Sequence, residues 1–156
     1  MCILPNISLP NDVSSPLAAN KGRKIYVCGF WPNFLDKQNP DRDCYMTENI
    51  ANGGAWKKIA TRQFANGGSS YALVGSLLLA TNGQFSDSKK NLFEFLDLSL
   101  EDSSWETIEL GMPYLPDDHH LIDSCMIAIN DTAFILIGGK TWQEESWLHA
   151  GGLTLI

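Results

Sequence analysis

His119 and His120, preceded by Asp117-Asp118, are the densest collection of metal-ligating side chains in the sequence. Neighbouring residues of a strand point to opposite faces, so these two imidazoles do not converge on one ion. A third ligand would have to come from His149 or a carboxylate elsewhere. Solvated loop residues are therefore expected here, with no metal and no cofactor. Serine, histidine and aspartate are all present, but no nucleophile-elbow sequence assembles them into a hydrolytic triad, and a non-catalytic protein is expected.

A second collection is of interface type. Trp31, Phe34 and Arg42 lie in one irregular stretch from Phe30 to Asp43, and Trp, Phe and Arg are residue types on which protein partners are anchored. Arg62 follows in a later connection, and Asp87 and Lys89 lie in a polar stretch from Gln84 to Lys90. These six residues are the expected partner-binding set. The rival reading is that Trp31 and Phe34 fold back over the adjoining sheet. Of the four cysteines, Cys2, Cys28, Cys44 and Cys125, none forms a C-x-x-C pair, which argues against structural zinc. Cys28 closes one expected strand and Cys44 opens the next. In an antiparallel hairpin those ends lie side by side, so a disulfide and two free thiols are both open.

Composition narrows the classes further. The 156 residues are 44% hydrophobic and 19% charged, with a net charge of −7, values typical of a folded chain with a sizeable core. The acidic balance argues against nucleic-acid binding through phosphate neutralisation. No apolar run approaches the roughly 18 residues of a membrane span, and Met1 to Asn6 lacks the pattern of a secretion signal. If the chain is complete the cytoplasm is expected; if it is a piece of a longer protein, an extracellular location stays open. Two sequons, Asn6-Ile7-Ser8 and Asn130-Asp131-Thr132, would matter in a secreted protein.

The elements that must position these residues are short strands. Helical periodicity is absent, and Gly and Pro interrupt constantly. Expected strands run over residues 14–19, 24–28, 44–47 and 55–59, then 69–74, 76–81, 92–98 and 104–110, then 122–129, 132–137 and 153–156. Gly29, Gly83 and Gly138 recur at intervals of about 55 residues, and Trp56 and Trp105 mark a similar spacing, as in blade-type repeats. Three units follow: 1–60 with an N-terminal lead-in, 61–111, and a truncated 112–156. The runs Leu77-Leu78-Leu79-Ala80 and Phe134-Ile135-Leu136-Ile137 are unbroken. A strand in a two-layer sandwich alternates because one face is wet, whereas a strand with two buried faces does not. All-β architecture with stacked, doubly covered sheets is therefore expected, with a sandwich as the rival.

An apolar strand ending in Gly138-Gly139, and the middle unit from Leu77 to Trp105 with Phe95-Leu96-Asp97-Leu98, resemble the kelch repeat of the galactose oxidase-like propeller superfamily. The resemblance covers nearly the whole chain, although Gly29-Phe30 and Asn82-Gly83 stand where that family usually has Gly-Gly. It implies a kelch-like β-propeller segment of about three four-stranded blades, the last one truncated, whose inter-strand loops bind a protein. No Tyr/His constellation matches the copper oxidases of that superfamily. Kelch propellers usually close with about six blades, so missing blades or self-association are expected to close the ring. The alternatives are an extracellular glycan-binding β-domain and a propeller-based enzyme.

Overall fold

The computed structural model describes residues 17–28, 42–48, 53–63, 68–81, 92–109, 122–143, 146–149 and 153–155. All regular structure among them is β. Strands β1 (Leu17–Lys21), β2 (Lys24–Cys28), β3 (Asp43–Glu48) and β4 (Lys57–Thr61) form one antiparallel sheet in that order. Strands β5 (Tyr71–Val74), β6 (Leu77–Thr81), β7 (Leu92–Asp97) and β8 (Glu106–Glu109) form a second sheet of the same pattern. The first strands of successive units converge: β1 approaches β5, and β5 approaches β9 (Cys125–Ala128). Repeated sheets with adjacent inner strands are compatible with a β-propeller.

The third unit contains the three expected strands and, in addition, an unexpected hairpin. Its sheet has the order β13-β10-β9, built from β10 (Phe134–Ile137) and β13 (Leu153–Leu155) besides β9. Between β10 and β13 the chain makes a separate hairpin, β11 (Lys140–Gln143) with β12 (Ser146–His149), in which Trp142 is registered opposite Trp147. Leu153–Leu155 thus takes the third-strand place, and Trp147 belongs to an inserted connection. Residues 122–124 are not part of β9. Asp123 adopts a positive φ of 54° and its N–H donates to the Gly68 carbonyl at 2.9 Å, which turns the chain before the strand can start. The strand expected at 55–59 begins two residues later, at Lys57, and the one expected at 104–110 also begins two residues later, at Glu106. The expected first strand extends to Lys21, and its residues before Leu17 lie outside the described set.

Alternation along the middle strands decides the packing. Leu78, Ala80 and Leu96 face the first sheet and pack with Leu17, Tyr26, Cys28 and Cys44. Ala72, Val74, Leu79 and Phe93 face the other way, against Met126, Phe134 and Leu136 of the third sheet. The Phe93 and Phe134 rings are 5.8 Å apart between centroids and tilted by 51°, an attractive aromatic geometry. Both faces of β6 are covered, which is why its sequence shows no polar alternation, whereas the outermost strand β8 is exposed along its length. Ile25, Leu78 and Ile135 lie in three successive sheets rather than one pair of layers, which removes the sandwich.

Turns hold the stack in register. Gly75 links β5 to β6 at φ +58°, and an added Cβ would meet the Asp131 carbonyl oxygen at 2.7 Å. Only glycine tolerates both the positive φ and that approach, and the contact seats the β9–β10 turn against the β5–β6 turn. At the other end of the strands, the Ser70 hydroxyl donates to the Ser124 carbonyl at 2.6 Å and also meets the Ser124 hydroxyl. These bonds tie the entry to β5 to the entry to β9.

Trp56 and Trp105, equivalent in the repeat, have different surroundings. Trp105 is buried between the first two sheets, its indole N–H directed at Cys44 Sγ, 3.2 Å away. Trp56 is half-buried beside Val27 and Tyr45 on the opposite face of sheet one, where there is no preceding sheet among the described residues. The matching outermost face lies on sheet three, where Ile127, Ile129 and Ile137 are 41–49% exposed.

Candidate functional site

The connections that leave β2, β6 and β10 all emerge at one end of the strands, together with the links from β4 to β5 and from β8 to β9. Of the partner-binding set expected from sequence, Arg42 and Arg62 are described, Arg42 preceding β3 and Arg62 following β4 at this end. Trp31, Phe34, Asp87 and Lys89 lie outside the described residues, as do His119 and His120. Arg42 is exposed just before β3, and its Nη1 donates to the Gln63 carbonyl at 2.5 Å. The Arg62 N–H donates to the Arg42 carbonyl at 2.8 Å. The two chain segments are thus laced side by side. Asp43, next to Arg42, accepts from Lys58 Nζ at 2.6 Å and from Thr61 Oγ1 at 2.7 Å. Burial alone would raise its carboxyl pKa, but these two bonds and the Lys58 charge hold it below the ordinary value.

Arg62 corrects the expectation placed on it. It is 1% exposed and does not reach the surface as a partner contact. Its Nε and Nη2 both donate to Glu94 Oε2, at 2.8 and 2.5 Å, and Nη2 also reaches the Thr81 carbonyl at 3.1 Å. The guanidinium carbon lies 5.2 Å from the Trp105 ring centroid, within cation–π range. Glu94 Oε1 accepts the Gln63 N–H at 2.6 Å, and the Gln63 side chain donates to the Trp105 carbonyl at 2.8 Å. Burial pulls the Arg62 pKa down, and the Glu94 charge and hydrogen bond pull it back up. Arg62 Nη1 is buried without a hydrogen-bond acceptor. A residue read as a surface contact is therefore the staple between the first and second sheets, and its partner Glu94 had no signal in the sequence beyond being a charge in an apolar strand.

Cys28 and Cys44, registered opposite each other across β2 and β3, form a disulfide and are both wholly buried. Cys125 is an exposed free thiol. Among the described residues no cluster of three or more His, Cys, Asp or Glu side chains is arranged to hold a metal ion.

A groove of about 580 Å³ opens at the opposite end, between sheets one and two. Met46, Ile59, Leu96 and Leu98 give it an apolar floor, and Lys24, Glu48, Lys57, Asp97 and Glu101 supply charges of both signs along its edges. Lys24 pairs with Glu48 at 3.1 Å, and that hydrogen bond, with the Glu48 charge, raises the Lys24 pKa. Burial raises the Tyr26 hydroxyl. Asp97 accepts from the Ser99 N–H at 2.9 Å and from its hydroxyl at 2.7 Å, which holds its carboxyl low. The groove suits an aliphatic side chain flanked by charge, a binding task. Sequence reasoning missed it because its walls come from segments about 70 residues apart that only stacking brings together.

No protein-family model matches the chain, and no curated protein matches it.

Proposed function

We propose that the chain is a kelch-type propeller segment acting as a non-catalytic protein-interaction module. The partner binds at the end of the stack that carries the connections after β2, β6 and β10. The observation that carries this reading is the packing of sheet two against the first and third sheets, which makes a stacked platform for the connections after β2, β6 and β10. Trp31 belongs to the first connection, and Trp142 and Trp147 to the third; Trp is a favoured anchor at protein interfaces. Arg42, exposed just before β3, adds a planar donor for a carboxylate. The expected result is that Trp31→Ala and Arg42→Ala each remove the same proteins from an affinity capture while leaving the thermal midpoint unchanged. A parallel fall in capture and midpoint means that Trp31 serves packing, and the reading fails at that residue.

The outer face of sheet three exposes Ile127, Ile129 and Ile137, and a second copy of this chain is proposed to cover it. Sedimentation of the chain alone is expected to show association that rises with salt, because screening weakens repulsion between molecules of net charge −7. Ile127→Lys with Ile137→Lys is expected to leave only monomer. A wild-type chain that sediments as a cooperative monomer at all concentrations excludes the second copy.

A glycan-binding extracellular domain is the second reading, and the Cys28–Cys44 disulfide favours it, since such bonds persist in oxidising compartments. Retention on a glycan array that disappears in Trp31→Ala would select it over protein binding.

A further inference from the structure

The β9–β10 turn carries Asn130-Asp131-Thr132, all three exposed. The hairpin is closed beneath it by the Ile129 N–H donating to the Ala133 carbonyl at 2.9 Å. Within the turn, Asn130 Oδ1 accepts from the Thr132 N–H at 2.8 Å and from the Thr132 hydroxyl at 3.0 Å. A backbone N–H can donate only to the oxygen of the carboxamide, so these bonds fix which way the amide is turned. Both local donors are spent on Oδ1, and the Nδ2 amine is left at the exposed tip. The seat of the turn against Gly75 involves the Asp131 backbone and not the Asn130 side chain. A large group on Nδ2 therefore meets no part of the core.

We propose that Asn130 is an N-glycan acceptor and that this chain passes through a glycosylating, oxidising compartment. Three observations agree on it: the Asn-x-Thr triplet, the outward amide beside its own threonine hydroxyl, and the buried Cys28–Cys44 disulfide. The donor is an oligosaccharide carried on a lipid pyrophosphate. Nδ2 attacks the anomeric carbon of the first sugar, the bond from that carbon to the pyrophosphate oxygen breaks, the electron pair leaves with the pyrophosphate, and Nδ2 loses one proton. The glycan then stands at the end of the stack away from the connections after β2, β6 and β10, so the protein-binding end stays uncovered. This inference is independent of what binds there.

The test is peptide mapping of the chain isolated from its natural source, treated with peptide-N-glycosidase in heavy-oxygen water. The expected product is labelled Asp at position 130, and unmodified Asn130 overturns the proposal. In a eukaryotic secretory host, Asn130→Gln and Thr132→Ala are expected to lose the glycan-dependent gel shift while the thermal midpoint and the disulfide are retained. Thr132→Ser is expected to restore the shift. A glycan found on the host-made chain but absent from the natural one also overturns it, because the chain would then not travel that route.

Discussion

Arg62→Met is expected to lower stability by about 3–5 kcal/mol, the usual cost of removing one member of a buried ion pair. The Glu94 carboxylate, 0% exposed, would lose the guanidinium that compensates its charge. Glu94→Gln is expected to be comparably damaging, since it leaves the Arg62 cation in the same dry interface. The double variant Arg62→Met/Glu94→Gln is expected to lose much less than the sum of the two, because no isolated charge remains. Urea unfolding of the four proteins measures this through the midpoint at constant slope. Additive losses, or a single-variant loss under about 1 kcal/mol, would show that the pair is not what joins the sheets. Arg62→Lys is expected to rescue poorly, because an ammonium cannot reproduce the planar contacts to Glu94, the Thr81 carbonyl and the Trp105 ring together.

Removing the Cys28–Cys44 bridge is expected to cost about 2–4 kcal/mol. The bond closes a segment of 16 residues, and cutting it returns conformational freedom to the unfolded chain. Cys28→Ala with Cys44→Ala is therefore expected to unfold at a lower urea concentration than the oxidised parent. Reductant is expected to bring the parent down to the same midpoint once the chain has been unfolded. Without denaturant the parent is expected to resist reduction, because both sulfurs are wholly buried. Thiol titration of the denatured chain should find two fewer groups before reduction than after; equal counts would sink the bridge. The same experiment bears on the Asn130 glycan, since a chain with four free thiols is not one from an oxidising compartment.

The two results probe one region. Trp105 lies between the disulfide and the ion pair, its indole N–H on Cys44 Sγ and its ring beside Arg62. Loss of either bond is expected to loosen the seam between sheets one and two, and with it the groove formed by Met46, Ile59 and Leu96 at the other end.

Much of the architecture was written locally. The unbroken run at Leu77–Ala80 states that both faces of its strand are dry, and Leu78 and Leu79 indeed pack in opposite directions. Gly75 announces its turn because positive φ excludes other residues. The Cys28 and Cys44 pair was legible as a possibility, since consecutive antiparallel strands bring their ends together whatever surrounds them. Strand alternation, turn chemistry and hairpin register all act over a few residues, and a linear chain displays them directly.

The rest was decided between distant segments. Arg62 reads as a surface cation until Glu94, 32 residues away in another sheet, is set against it. Trp56 and Trp105 are equal in the repeat, yet among the described residues only Trp105 has a preceding sheet to enter. The strand expected at 153–156 does pair with β10, but the hairpin of β11 with β12 between them had no signal in the sequence. In each case the free energy depends on which surface arrives from elsewhere to exclude water. That arrival is a property of the stack, and no window of sequence contains it.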